Sequence, residues 1–87
     1  MATTPLALTT AYTKLVDAAV ADFTLQVRSD LGMEVVFVAA APAASLEGLL
    51  LSQFQAVTRL NGSGHVYGRV PARPGQTSRV GRAVLTT

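Results

Sequence analysis

The clearest pattern in the chain is an alternation of apolar and polar residues over 22–28, with the sequence DFTLQVR. Phe23, Leu25 and Val27 fall on one face, whereas the intervening residues are polar. This period of two is typical of a β-strand with one buried face. After a predicted turn, SDLG, the valine-rich run MEVVFVAA predicts a second strand that is covered on both faces. Pro42 ends this region, because proline cannot donate a hydrogen bond to a sheet.

The N-terminal sequence PLALTTAYTKLV predicts two short extended segments on either side of Thr9 and Thr10. We expect residues 1–10 to form an extended N-terminal arm that adds a strand to a neighbouring subunit, and residues 11–87 to form a single domain. A helix is the alternative for AYTKLVDAAVADF, since its larger apolar residues also fall at helical spacing.

The middle of the chain also allows two interpretations. In SLEGLLLSQFQAV the large apolar residues lie at helical spacing and Ser45 is placed to cap a helix, although Gly48 weakens it. The competing interpretation is two strands, Leu49–Leu51 and Phe54–Leu60. Periodicity alone does not decide whether Leu46–Val57 is helix or strands.

The C-terminal part is less ambiguous. NGSG predicts a hairpin turn, HVYGRV a strand, PARPGQTS a loop and RVGRAVLTT a final strand. Short strands spaced about 8–12 residues apart indicate a small sandwich or barrel. We therefore predict an all-β, mainly antiparallel fold: a small β-sandwich, for which a jelly roll is one candidate topology, with at most one short helix. Its core should include Phe23, Leu25, Val27, Val36 and Val38.

The composition indicates that this chain needs partners to cover its apolar surface. Only 14% of the 87 residues are charged, against about 25% in an average soluble domain, and 49% are hydrophobic. A chain of this length buries only about 60–65% of the surface that its unfolded form exposes. There is no cysteine, so disulfides and thiolate ligands are excluded. We therefore expect association with other subunits, including formation of a homo-oligomer.

The apolar residues of this chain do not indicate a membrane protein. No apolar run approaches the roughly 18–20 residues of a spanning helix. The N-terminus also lacks the basic segment and long apolar core of a secretory signal. We therefore expect no membrane among the partners.

Charge is distributed unevenly along the chain. All five acidic residues lie within the first 47 positions, and five arginines but no acid follow Glu47. Such asymmetry occurs in nucleic-acid-binding proteins. It equally suits the docking of an acidic face of one subunit on a basic face of another. We favour subunit docking, because the chain has a single lysine and only five aromatic residues.

The stretch LNGSGHVYGR contains the residue types of a catalytic or phosphate-binding loop without their spacing. Gly62, Gly64 and Gly68 give G-x-G-x-x-x-G, which has no lysine and matches neither the P-loop nor the dinucleotide fingerprint. His65 is the only histidine, and no local motif supplies a catalytic triad or the further ligands of a zinc site. We therefore expect no enzyme activity, no metal and no cofactor.

The same stretch fits a contact surface better. On a strand, His65, Tyr67 and Arg69 share one face, while small apolar residues occupy the other. Tyrosine and arginine are enriched in protein interfaces. We predict protein-interface roles for His65, Tyr67, Arg69, Arg73 and Arg79. The alternative is a small nucleic-acid-binding β-barrel, in which Tyr67 stacks on a base and the arginines contact phosphates.

Three stretches carry a resemblance to a known family: PLALTTAYTKLVDA, DFTLQVRSDLGMEVVFVAAAPAA and LNGSGHVYGRV. Together they resemble the small β-sandwich virion proteins of tailed bacteriophages, of the head decoration (cement) or head-fibre type. In that family a threonine-rich strand precedes an extended strand, and a late V-Y/W-x-R strand precedes a glycine-containing loop. Phe23–Val27 and Val66–Arg69 match those places. The family's asparagine after glutamine is absent here, since Gln26 is followed by valine, and Leu46–Leu51 is more helix-like than the family pattern.

The resemblance implies a structural role in the virion, which is assembled in the cytoplasm of the bacterial host. The implied partners are the major capsid protein or other virion proteins, together with further copies of this chain, whereas nucleic acid is not expected. No catalytic residue or cofactor is implied. A tail or fibre-attachment subunit is the alternative within the same class of protein.

Overall fold

A computed structural model describes residues 2–71 and 80–87. Within these ranges the chain forms eight β-strands and no helix. The strands are β1 (Thr3–Leu8), β2 (Thr13–Val16), β3 (Phe23–Val27), β4 (Met33–Val38), β5 (Leu49–Leu51), β6 (Ala56–Arg59), β7 (His65–Arg69) and β8 (Gly81–Thr86). The all-β prediction is confirmed, and so are the strands expected in DFTLQVR, MEVVFVAA, HVYGRV and RVGRAVLTT.

The strands form two antiparallel sheets of four strands each. Sheet A has the order β1-β8-β3-β6, and sheet B has the order β2-β7-β4-β5. The first half of the chain pairs with the second half in reverse order: β1 with β8, β2 with β7, β3 with β6 and β4 with β5. This is the strand order of an eight-stranded jelly roll, in which one long hairpin is rolled into two sheets. The predicted small β-sandwich is thus the observed architecture.

The core lies between the two sheets, where alternate residues of the strands point inward. Its members are Leu8, Leu15, Val16, Phe23, Leu25, Val27, Met33, Val35, Val66, Val70 and Ala83. The strand whose alternation is clearest in the sequence, β3, contributes all three of its apolar residues, as predicted.

Strand β4 is covered on both faces over its first four residues, as its apolar run predicts, whereas Phe37 is 46% exposed. Met33 and Val35 belong to the core, whereas Val36 is 6% exposed on the opposite face of sheet B. Loop 39–48 covers Val36, and it approaches so closely that a Cβ on Gly48 would lie 2.7 Å from the Val36 side chain. Val38 is only half-buried at the end of the strand. The core prediction is therefore wrong for Val38. Val36 is buried, but it lies under loop 39–48 on the outer face of sheet B and not in the core between the two sheets.

Both segments that allowed a helix form strands and turns instead. Residues 46–57 include β5, which pairs with β4, and the start of β6, which pairs with β3. Between these strands Phe54 has a φ of 68°, outside the helical region. In the earlier segment the β2–β7 register shifts between Lys14 and Val16. This bulge allows Leu15 and Val16, which are adjacent in sequence, both to be buried.

The first strand pairs within its own chain. β1 pairs with β8 along its whole length, and Ala2 and Thr87 exchange backbone hydrogen bonds of 3.0 and 2.9 Å. Leu8, at the end of β1, is fully buried in the core. The sequence predicts that residues 1–10 form an arm for a neighbouring subunit. In the structure Thr3–Leu8 instead form an edge strand of sheet A in their own chain, because they pair with β8 and Leu8 packs in the core.

The predicted SDLG turn joins β3 to β4 and depends on its glycine. Gly32 has a φ of 75°, which L side chains rarely adopt. A Cβ at this position would also lie 2.7 Å from the carbonyl oxygen of Leu51. The turn therefore needs glycine both for its backbone conformation and for the close approach of β5.

Candidate interaction surfaces

The outer face of sheet B carries three of the five residues predicted to form an interface. His65, Tyr67 and Arg69 alternate along β7 with residues that are buried, so their shared outward face is confirmed. Arg73 and Arg79 lie outside the described residues. Whether this face contacts another protein stays a prediction.

Arg69 is engaged inside the chain rather than presented to solvent. Its Nε donates to Glu34 Oε1 at 2.6 Å, and the two side chains are only 13% and 10% exposed. Nη1 donates to the carbonyl oxygen of Ala44 at 2.7 Å, and Nη2 donates to that of Leu46 at 3.3 Å. Arg69 therefore ties loop 39–48 to the outer face of sheet B.

Two further side chains complete this attachment, and neither was predicted from the sequence. The Tyr12 ring lies under the Arg69 guanidinium, 4.0 Å from its central carbon, and the Tyr12 hydroxyl donates to the Leu46 carbonyl at 2.6 Å. Glu34 Oε2 accepts a 2.9 Å hydrogen bond from the Gly48 amide. We call Tyr12, Glu34 and Arg69 the latch, since together they hold loop 39–48 at Ala44, Leu46 and Gly48.

The latch shifts the pKa values of two of its members. Burial alone would raise the pKa of the Glu34 carboxyl, but hydrogen bonds from Arg69 and Gly48, with the charge of Arg69, bring it below its usual 4.5. Burial, and the nearby carboxylates of Glu34 and Glu47, raise the pKa of the Tyr12 hydroxyl above its usual 10.0 despite the opposing charge of Arg69. At neutral pH Glu34 is thus ionised and Tyr12 is a neutral donor.

This arrangement predicts an acid-dependent loss of stability through Glu34. Because its pKa is lower in the folded than in the unfolded chain, the ionised group stabilises the fold fully above about 4.5, and the contribution is lost as the pH falls through the folded-state value. Urea unfolding at a series of pH values should show wild type more stable than Glu34→Gln at neutral pH, with the difference shrinking in acid. A difference that stays constant across the titration would contradict the role of the charge.

His65 and Tyr67 lie beside the latch but do not belong to it. The Nδ1 atom of His65 lies 3.1 Å from the Ala18 amide nitrogen, which donates to it, and 3.4 Å from a carboxylate oxygen of Asp17. The His65 and Tyr67 rings meet edge to face at 6.4 Å. Both side chains are half-buried and remain available at the surface in part.

The arginines that the sequence groups into a basic half separate in the structure. Arg59 stacks on Phe23 at 4.9 Å and donates to the backbone carbonyls of Ser63 and Gly64 at 3.0 and 2.9 Å. Like Arg69, it is therefore used within the chain. Arg82 is exposed at the surface, and so is Arg28, which belongs to the first half of the sequence.

Loop 39–48 and β5 present three exposed leucines, which we call the leucine surface: Leu46, Leu49 and Leu50. Their exposed fractions are 40%, 55% and 65%. Within β5, Leu50 lies on the outer face of sheet B, opposite Glu34, and Leu49 lies on the other face, opposite Val35. An open cavity of about 410 Å³ lies beside Leu50, and its other lining residues are Glu34, Glu47, Gly48, Arg69 and Pro71. The paired charges in its wall, Glu34 and Arg69, belong to the latch. The cavity therefore lies between the latch and Leu50. The latch fixes the backbone that carries these leucines before any partner binds.

The outer face of sheet A is uncharged over nine side chains that point away from the core, which we call the threonine face. They are Thr3, Pro5, Ala7, Thr24, Gln26, Ala56, Thr58, Val84 and Thr86. All nine are exposed or half-exposed. Thr3, Thr86, Thr24 and Thr58 lie directly opposite one another and form a row across all four strands. The Oγ1 atoms of Thr24 and Thr58 are 3.2 Å apart.

Among the described residues, charged side chains stand at the ends of the threonine face. Arg82 lies at one end, opposite Ala7 of β1 and next to Arg28, and Asp22 precedes β3 at the other end. The Arg28 guanidinium is 6.0 Å from the centre of the Phe54 ring. The result is an uncharged centre with a polar margin, which is the distribution found in protein interfaces.

In the part of the chain that the structure describes, no cluster of three or more His, Cys, Asp or Glu side chains is placed to hold a metal ion. The same residues include no helix able to cross a membrane. Comparison of the chain with protein-family models, with curated proteins and with solved structures found no match.

Proposed function

We propose that this chain is a structural subunit of a bacteriophage virion: a decoration protein that binds the capsid shell, with the major capsid protein as its partner, through the threonine face. The observation that carries this proposal is that uncharged side chains form rows across the four paired strands of that face. The resemblance to decoration proteins in PLALTTAYTKLVDA and LNGSGHVYGRV supports it. A tail or fibre-attachment role is the alternative for the same surface.

The chemistry of the threonine face favours protein contact for two reasons. Burying it requires no desolvation of charge, which is the costliest part of forming an interface. Apart from Gln26, its side chains are small, cyclic or β-branched and have little rotamer freedom to lose on binding, unlike lysine, arginine or glutamate. Because the side chains stand on a paired sheet, the surface needs no backbone ordering when a partner arrives.

The size of the face argues for repeated, individually weak contacts. Four strands about 4.8 Å apart, the longest of them six residues, give a face of at most roughly 19 by 20 Å, or about 400 Å². A standard specific interface buries about 800 Å² on each partner. One face is therefore about half of such an interface. Attachment to a repeating shell through linked subunits would raise the overall affinity by avidity.

Co-sedimentation with empty capsids of the encoding phage tests the proposal. Wild type should bind the capsids, and Ala56→Glu, which places a charge on the exposed outer face of β6, should weaken binding by at least about tenfold, because an unpaired charge is costly to bury. The matched control is Ala40→Glu, the same change in exposed loop 39–48 on the other side of the sandwich. Absence of wild-type binding overturns the proposed function, and equal losses in both variants overturn the choice of face.

A further inference from the structure

The four edge strands of the sandwich are β1 and β6 in sheet A and β2 and β5 in sheet B. Exposed edges invite pairing with other chains, and natural proteins commonly block them with proline, charged residues or bulges, or keep them very short. Three of these edges carry such a feature: Pro5 in β1, Lys14 with a register shift in β2, and Arg59 in β6. Strand β5 is Leu-Leu-Leu, carries no proline, charge or bulge, and is limited in pairing by its three-residue length alone.

We propose that β5 pairs with β5 of a second copy of this chain, antiparallel and about a two-fold axis at Leu50. The two B sheets would then join into one continuous sheet of eight strands. In this register Leu50 of one copy lies opposite Leu50 of the other, and Leu49 lies opposite Leu51. The pairing concerns the leucine surface, and only its use in linking subunits on a shell rests on the proposed function.

Self-complementarity favours a second copy over a strand of a different protein. The strand carries no charge, so a two-fold axis brings no like charges together. The nearest charged residue along the chain, Glu47, lies outside the strand, three residues from Leu50. A two-fold contact also satisfies the open edge of both subunits at once.

The contact is short, so the dimer should depend on concentration. β5 has three residues, and the apolar side chains around it cover less than the roughly 800 Å² per partner of a standard interface. We therefore expect a dissociation constant between about 1 μM and 1 mM. The latch strengthens the contact indirectly, because it fixes the backbone leading into β5 beforehand.

Sedimentation velocity of the full chain without capsids tests the pairing independently of the proposed function. The mean mass should rise from 9.0 kDa toward twice that value with increasing concentration. Leu50→Lys and Leu50→Glu should each stay monomeric, whereas an equimolar mixture of the two should dimerise again, because opposite charges then meet at the axis. The matched control is Leu60→Lys, at a leucine that is 75% exposed outside the leucine surface; it should behave as wild type.

Amide hydrogen exchange supplies a second readout that is specific for strand pairing. Exchange at 49–51 should slow as wild type becomes more concentrated, and it should not slow for Leu50→Lys alone. A wild type that stays monomeric throughout overturns the inference, and so does a dimer that persists in Leu50→Lys. Failure of the Lys and Glu variants to dimerise when mixed overturns the two-fold register. None of these results depends on whether the chain binds a capsid.

Discussion

Replacing Arg69 by alanine should lower the free energy of unfolding by about 3–5 kcal/mol, because it leaves the Glu34 carboxylate buried without its partner. The same change removes the donors to the Ala44 and Leu46 carbonyls and the cation above the Tyr12 ring. A domain of this length has a total stability of only about 4–13 kcal/mol. The variant should therefore unfold at markedly lower urea concentration, as followed by circular dichroism.

Two comparisons separate the latch from a general effect of removing arginine. Arg82→Ala, at an exposed position, should change the free energy of unfolding by no more than about 0.5 kcal/mol. The double variant Glu34→Met with Arg69→Met should be more stable than Arg69→Ala, because no unpaired buried charge remains. Equal destabilisation by Arg69→Ala and Arg82→Ala would show that the ion pair does not hold the fold.

A local measurement shows where the destabilisation acts. Hydrogen exchange at the Gly48 amide should accelerate in Arg69→Ala more than exchange at core amides such as that of Val66, since Gly48 depends on the latch for its acceptor. Uniform acceleration at both amides would mean that the whole sandwich opens together. In that case loop 39–48 would not be the element that Arg69 holds.

Strands could be predicted where one face is buried and the other is not, as in β3, and where a continuous apolar run is buried on both faces, as in β4. β3 alternates cleanly, because Phe23, Leu25 and Val27 enter the core between polar neighbours. β5 could not be recognised by periodicity, because its leucines follow one another and two of them remain exposed. Their spacing also fits a helix, and only the pairing of β5 with β4, a non-local contact, decides for a strand.

The latch and the threonine face could not be predicted, because each depends on strand register. Glu34 and Arg69 are 35 residues apart, and the β4–β7 pairing places them opposite each other. The threonine row likewise joins four strands from separate parts of the chain. The sequence did identify Arg69 as a residue of the outward face. It did not show that the Arg69 guanidinium would pair with Glu34 of the neighbouring strand and donate to carbonyls of loop 39–48.

Leu25→Ala should be comparably damaging, at about 2–5 kcal/mol, because the site is fully buried in the central strand β3 of sheet A. Leu25 lies opposite Val57 of β6 and Leu85 of β8. Both neighbours are held in a paired sheet, so the core can collapse only partly into the space left by the smaller side chain. Urea unfolding measured at low protein concentration, below the range of dimerisation, gives the effect on the single subunit.

The informative control is the same substitution at Leu50, which is 65% exposed. Leu50→Ala should change the stability of the monomer by no more than about 0.5 kcal/mol, because little apolar surface is lost from the interior. Equal effects at the two leucines would contradict the burial of Leu25 or the exposure of β5. The expected contrast has a functional meaning. Leu25 is needed for the stability of the fold, whereas Leu50 contributes little to that stability, and its role is the contact that β5 makes with a partner.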